Sequence, residues 1–250
     1  MLQLIFSVLL AFLFIGRVYS ETLIISASAN TQYALEEIIK EFKKEHPKVK
    51  IKTVISSSGK LTAQIERGAK YDIFLSADTK YPEYLYKKGL TLTKPKVYAE
   101  GILVLWSMKH KIKGINDILK FRKIAIPNPK TAPYGRASLE ALNYYNLYNK
   151  VKNKLVYGES VSQASHYIYR KLVDGGFTAK SVVLSPKIKN KGYWIEIDRR
   201  AYKPIKQAVV ILKNAKNKEV AKEFFHYLFS KKAQTILTKY GYRVKNESAD

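Results

Sequence analysis

Three serines and a glycine, Ser56-Ser57-Ser58-Gly59, stand between an apolar run, Val49 to Ile55, and a segment with helical signals. Leu61 and Ile65 recur at helical spacing, and Glu66-Arg67-Gly68 supplies a glycine stop. A serine at the mouth of a helix has two uses. Its hydroxyl can cap the first free backbone N–H groups. Alternatively, hydroxyl, N–H groups and helix dipole together can hold an anion. On this stretch alone capping is the ordinary reading. The chain offers similar strand-to-helix junctions at Ser28-Ala29-Asn30, near Tyr134 and near Val161, and that recurrence tips the balance toward an anion.

Other chemistries find less support. Asp72 and Asp78 invite a carboxylate-pair reading. Asp72 sits inside an apolar run and Asp78 at a helix start, so structural roles are expected, and a carboxylate would repel an anion. The four histidines, at 46, 110, 166 and 226, lie in separate elements without paired metal spacing, and no metal-ion site is expected. The absence of cysteine removes disulfides, thiolate catalysis, zinc-thiolate sites and a lipoprotein attachment residue. No nucleophile–base constellation or Gly-rich cofactor loop appears, so the chain reads as a non-enzyme without a cofactor. The net charge is +25 in 250 residues. Its lysines are scattered, without an arginine block or recognition-helix signature, so no nucleic-acid partner is expected. The 19 tyrosines are spread through predicted helices, where packing explains them better than base stacking.

The elements that must position these junctions follow a β-α alternation. Thr22 to Ala27 reads as a strand, followed by a helix with Leu35, Ile38, Ile39 and Phe42 on one face. Val49–Ile55 and the serine helix come next, then the strand Tyr71–Ser76 and a helix ending at Gly89. The pattern restarts after Gly101: strands at Ile102–Trp106, Lys123–Ile126 and Lys154–Tyr157, with helices after Tyr134 and Val161. The second of these helices is expected to stop at Gly175-Gly176. Phe177–Ala179 and Ser181–Leu184 are expected to continue the sheet, and Tyr193–Ile197 to form an edge or linker strand. Ile205–Leu212 is the last strand, before two amphipathic helices. Such alternation implies parallel sheets flanked by helices, with sites at the carboxyl ends of strands.

Residues 1–20 contain the one membrane-like run. Its apolar part, Leu4 to Gly16, is too short for a span of roughly 20 residues. Val18-Tyr19-Ser20 before Glu21 resembles a cleavage site, so residues 1–20 read as a secretory signal peptide, although the segment before the apolar run has no Lys or Arg. An exported, cysteine-free chain of this size fits a bacterial periplasm.

The segments Ser26–Asn30, Ser56–Leu61, Tyr71–Asp78, Asn128–Arg136 and Ser160–Ala164 fall in the order and spacing of a known family. The chain resembles the periplasmic molybdate-binding proteins, the substrate-binding components of molybdate ABC transporters, over essentially all of residues 22–243. That resemblance implies an α/β, two-lobe periplasmic binding protein of type II-like fold, each lobe a mostly parallel sheet flanked by helices. The first lobe would hold 21–101 plus 209–250, and 102–208 would be the second. The lobes would hinge and close on a tetrahedral oxyanion, molybdate or tungstate, and a monomer would deliver it to the permease in the inner membrane. Position by position, the resemblance makes Asn30 and Ser58 ligand residues of the first lobe, with Ala29 a backbone donor beside them. Tyr134 and Val161 would donate backbone N–H groups from the second, and Ser28 is the alternative in the first loop. One departure stands out: some members place a tyrosine hydroxyl on the anion where this chain has Ala179.

Neutral donors suit such a ligand, since an oxyanion offers acceptors only, and a buried Lys or Arg would cost desolvation. Fixed donors at a set radius would separate molybdate and tungstate from the smaller sulfate. The competing readings are a carrier of the same fold for sulfate, phosphate or an organic anion, and an exported enzyme or sensor lobe.

Overall fold

The computed structural model describes residues 22–244; the expected signal peptide and the tail 246–250 lie outside the described residues. The first sheet begins with β1 (Thr22–Ser28), a 3-10 turn (Ala29–Thr31), α1 (Gln32–Glu45), β2 (Lys50–Ser56), α2 (Ser58–Glu66), β3 (Ile73–Ser76), α3 (Lys80–Lys87) and β4 (Lys96–Gly101). The chain then builds a second sheet. It runs through β5 (Leu103–Ser107), a 3-10 turn (Ile115–Lys120), β6 (Ile124–Pro127), α4 (Pro133–Tyr144), α5 (Tyr148–Val151), β7 (Leu155–Gly158), α6 (Val161–Tyr169), β8 (Gly175–Ala179), α7 (Lys180–Val183) and β9 (Tyr193–Glu196). It returns as β10 (Ile205–Ile211) and ends with α8 (Lys218–Tyr227) and α9 (Lys231–Lys239).

The strand orders are β2-β1-β3-β10-β4 and β7-β6-β8-β5-β9. In both, three parallel strands are extended by one antiparallel strand, β10 or β5, and then by an outer strand, β4 or β9, that runs with the first three, so one plan is used twice. This is the two-lobe α/β architecture expected.

The alternation of side chains along a strand explains how the first sheet is covered. Ile73, Leu75, Val209 and Ile211 face one cluster with Leu35, Ile38 and Phe42 of α1 and Phe224 of α8. The intervening Phe74 and Val210 face the other side, against Leu61 and Ile65 of α2 and Leu85 of α3. In the second sheet Leu103 to Trp106 are all fully buried, which matches their unbroken apolar run.

Three local expectations are corrected. Strand β4 was not anticipated, because Lys96-Val97-Tyr98-Ala99-Glu100-Gly101 is an edge with mixed polarity. Residues after Ala179 do not continue the sheet. Lys180 donates its N–H to the Ile102 carbonyl at 2.9 Å, and Leu184 closes a helical turn onto the Lys180 carbonyl at 3.1 Å. Val182 and Val183 are buried all round, and a short apolar run of that kind does not distinguish strand from buried helix. Gly175 and Gly176 do not stop α6; Lys171, at φ 58, takes the left-handed position. The glycines open β8 instead, where a Cβ on Gly176 would lie 2.0 Å from the Ala125 carbonyl oxygen.

The chain passes between sheets at Ile102 and returns through residues 197–204. The two passages are tied together: Leu103 N–H donates to the Tyr202 hydroxyl at 3.1 Å, and Ile197 N–H to the Leu103 carbonyl at 3.0 Å. Ile205 already pairs with Gly101 of β4, so the return strand joins the first sheet a few residues before 209, where the resemblance would resume the first lobe.

Candidate functional site

The carboxyl ends of the parallel strands of both sheets face one narrow cleft. It is lined by Ser28, Ala29, Asn30, Ser57, Ser58 and Ala77 from one lobe and Ala132, Pro133, Tyr134 and Val161 from the other. All five residues singled out in the sequence, Ala29, Asn30, Ser58, Tyr134 and Val161, meet here, and so does the alternative, Ser28. The space is about 10 Å³, on the scale of one water-sized sphere. No charged side chain lines it.

The donors can be counted from the helix starts. An α-helix leaves its first N–H groups without intrahelical acceptors. In α4, Pro133 has no N–H, and Gly135 and Arg136 donate to the Ala132 carbonyl at 2.9 and 3.2 Å. The Tyr134 N–H is the one left over. In α6, Gln163 N–H goes to the Ser160 hydroxyl at 3.3 Å and Ala164 N–H to the Ser160 carbonyl at 3.0 Å, which leaves the Val161 end open toward the cleft. In α2, Gly59 N–H crosses to the Thr131 carbonyl of the other lobe at 2.9 Å. The positive ends of three helices therefore converge on a small space without charged side chains.

Ser58 is fully buried, and its hydroxyl oxygen accepts the Ala77 N–H at 3.0 Å. That bond occupies a lone pair and leaves the hydroxyl proton free to donate into the cleft. Ser57, which the sequence reading passed over, is also buried, and its hydroxyl has no hydrogen-bond partner. An unpaired buried hydroxyl on a site wall is costly unless a ligand satisfies it. Its signal was present in the serine triplet, but register alone did not show which hydroxyls face inward.

Asn30 behaves differently from expectation. Its side-chain amide donates to Gln207 Oε1 at 2.8 Å and to the Tyr242 hydroxyl at 2.8 Å, so both N–H bonds are spent away from the cleft. Its main-chain carbonyl accepts from Ser181 Oγ at 2.7 Å and from the Tyr242 hydroxyl at 2.9 Å, while the buried side-chain Oδ1 has no partner. The side chain fixes the Ala29-Asn30 turn against the return strand and the C-terminal segment, and main-chain N–H groups remain the donors of this turn. Ser28 is likewise engaged, with Thr31 at 3.1 Å. Gln207, fully buried, was not singled out in the sequence; it reads there as one polar residue in an apolar strand.

The Tyr134 side chain lies away from the cleft at the passage between lobes, where a Cβ on Gly101 would sit 2.1 Å from its hydroxyl oxygen. Burial pushes the Tyr134 phenol well above its ordinary value, and burial likewise raises Tyr242 to about 12, so both stay neutral; the Tyr242 hydroxyl donates to the Asn30 main-chain carbonyl, while the Tyr134 hydroxyl has no hydrogen-bond partner. Ala179 is buried at the end of β8 and is not among the residues lining the cleft. Asp72 is structural: its carboxylate accepts Ile24 N–H and Lys216 N–H, each at 2.7 Å.

Fold and cleft together define a two-lobe binding protein with a small neutral site between its lobes. Residues 23–243 match the family described as bacterial extracellular solute-binding protein, and the chain belongs to that family. A molybdate-binding protein of Azotobacter vinelandii, ModA, is 34% identical over 223 residues, covering 87% of this chain and 88% of that protein. The ModA of Rhodobacter capsulatus is 35% identical over 189 residues, or 74% of each chain. The solved structure of the Azotobacter vinelandii periplasmic molybdate-binding protein superposes with a TM-score of 0.85 at 32% identity, covering 90% of this chain and 100% of that one. The sulfate-binding protein SubI of Mycobacterium tuberculosis shares the fold at a TM-score of 0.78 but only 13% identity, over 91% of this chain and 88% of that one.

Proposed function

We propose that this protein is the extracytoplasmic substrate-binding component of an ABC transporter, and that it captures molybdate between its lobes and delivers it to the membrane permease. The observation that carries the reading is the convergence of the Ser57 and Ser58 hydroxyls with the N–H groups of Ala29, Asn30, Tyr134 and Val161 on a cleft without charged side chains. Neutral donors can ring a doubly charged oxyanion without a fixed counter-ion, and helix ends supply partial positive charge.

The sequence similarity to the molybdate-binding proteins separates this reading from sulfate, since the sulfate carrier shares the fold alone. Tungstate, chemically and sterically close to molybdate, is the second ligand of the same cleft. The chain works as a monomer in the periplasm after removal of residues 1–20, and binds no metal ion or cofactor of its own. Residues 102–204 move against the rest about the two passages between sheets.

Calorimetric titration of the mature chain tests this. Molybdate and tungstate should bind tightly at one site per chain, and sulfate and phosphate weakly or not at all. Preferential binding of sulfate or phosphate would move the protein to another carrier class.

A further inference from the structure

The cleft is closed on one side by contacts that cross from lobe to lobe without touching the space inside. Arg136, two residues after Tyr134 in α4, forms an ion pair through Nη2 with Asp78 Oδ2. Asp78 follows Ala77, whose N–H holds the Ser58 hydroxyl. The carboxylate is itself fixed: Oδ1 accepts Tyr81 N–H at 3.2 Å and lies 3.1 Å from the Ser76 hydroxyl. The Arg136 guanidinium sits over the Tyr81 ring, 5.6 Å from its centre. The Tyr81 hydroxyl reaches the Lys130 and Thr131 carbonyls at 3.3 and 3.4 Å.

Between these contacts Gly59 presses on the opposite lobe. Its N–H meets the Thr131 carbonyl at 2.9 Å, and a Cβ there would lie 2.7 Å from the Tyr81 hydroxyl and 3.0 Å from Thr131 Cα. The four groups form one rim. It joins the segments that carry Ser58 and Tyr134, so each lobe's donors are held in register by it.

We propose that Asp78 and Arg136 are positioning residues, a clasp that holds the lobes shut and sets how long the anion stays; this rests on the anion-binding reading above. Neither side chain lines the cleft. The Arg136 charge is met by Asp78, so it adds closing force without placing a cation on the ligand. The side chains are 31% and 16% exposed, between a screened surface pair and a fully buried one. Burial raises the Asp78 carboxyl, with Arg136 pulling the other way, as for a carboxylate drawn out of water by closure. Lys60 and Glu159 pair across the lobes as well, but at 42% and 65% exposure they contribute little.

Stopped-flow kinetics with molybdate on the full mature chain tests the clasp. Arg136→Ala and Asp78→Asn should each release the anion about tenfold faster, with association within about twofold of the parent. The Asn still accepts from Tyr81, so the start of α3 is preserved. The double variant should be no worse than either single one, because each change breaks the same interaction. Unchanged off-rates, or losses that multiply in the double variant, would overturn the clasp. If the parent fails to bind molybdate, the ligand assignment is at fault. Small-angle scattering of the ligand-free chains then judges the clasp: Arg136→Ala should be the more expanded, and identical profiles would refute it.

Discussion

Ser57 offers the cleanest single-residue test of the cleft. Its hydroxyl makes no hydrogen bond within the protein, so Ser57→Ala removes nothing the fold uses. Loss of one hydrogen bond to a charged ligand costs roughly 1.5–3 kcal/mol, or about 10- to 150-fold in affinity. Ser57→Ala should therefore weaken molybdate binding by about tenfold or more while the melting temperature stays within about a degree or two. Ser58→Ala should weaken binding comparably and also lower the melting temperature, because the buried Ala77 N–H loses its acceptor. Titration and thermal denaturation of the two variants separate these cases; parent-like affinity in both would remove the serines from the site. At this scale the sequence pointed to junctions that the structure brings to one cleft, since a serine or asparagine before a helix is visible as a residue type. It did not show side-chain direction. Asn30 has the composition of a ligand, yet its amide is spent on Gln207 and Tyr242, partners 177 and 212 residues away that no local pattern links to it.

Among the elements, strands with unbroken apolar runs were legible because burial on both faces leaves one composition. The edge strand β4 was not, since one polar face and the turn to the second sheet disguise its period. Its last residue carries a testable constraint. Gly101 leaves room for Tyr134 of the other lobe, whose hydroxyl oxygen would lie 2.1 Å from an added Cβ. Gly101→Ala should weaken molybdate binding by about tenfold or more, as the methyl wedges the lobes apart. Tyr134→Phe alone should bind nearly as the parent does, because only its N–H reaches the cleft, and in the Gly101→Ala background it should restore much of the affinity. A loss that Tyr134→Phe leaves unrepaired would place the fault in β4 itself.

A second elemental constraint is Asp174, ahead of β8. Burial works to raise its carboxyl, but Arg122 N–H at 2.7 Å, Lys123 N–H at 3.2 Å and the Lys109 ammonium at 3.2 Å outweigh it and hold the pKa at about 2. An unfolded aspartate titrates near about 3.9. The folded value is the lower one, so this group stabilises the fold above about pH 4 and loses that contribution as pH falls toward 2. Asp174→Asn should cost about 2 kcal/mol at pH 7 and flatten the acid limb of the stability curve over that window. Denaturant melts of both proteins at pH 7 and pH 3 measure it; an equal loss at both would mean the carboxylate charge is not the source.

Over the whole molecule the charge is distributed quite differently from the site. The chain carries +25, while the cleft has no charged side chain. Some of the lysines have a local use: Lys50 and Lys52 stand outward on edge strand β2 and Lys96 on edge strand β4, where charge discourages pairing with another chain. Their sum has a further consequence. A strongly positive body attracts a divalent anion from a distance, and that attraction is screened once the Debye length, about 10 Å at 0.1 M salt, falls below the protein's own dimensions. In the proposed site the bound anion would instead sit among fixed, buried donors that salt ions do not reach. Association and release should thus respond differently to ionic strength. Between about 20 mM and about 300 mM salt the association rate should fall by about three- to tenfold, with the release rate changed by less than about twofold. Stopped-flow measurements across that range decide the matter. An association rate indifferent to salt would deny the surface lysines any part in capture, and a salt-dependent release rate would mean that a mobile charge, rather than neutral donors, holds the anion.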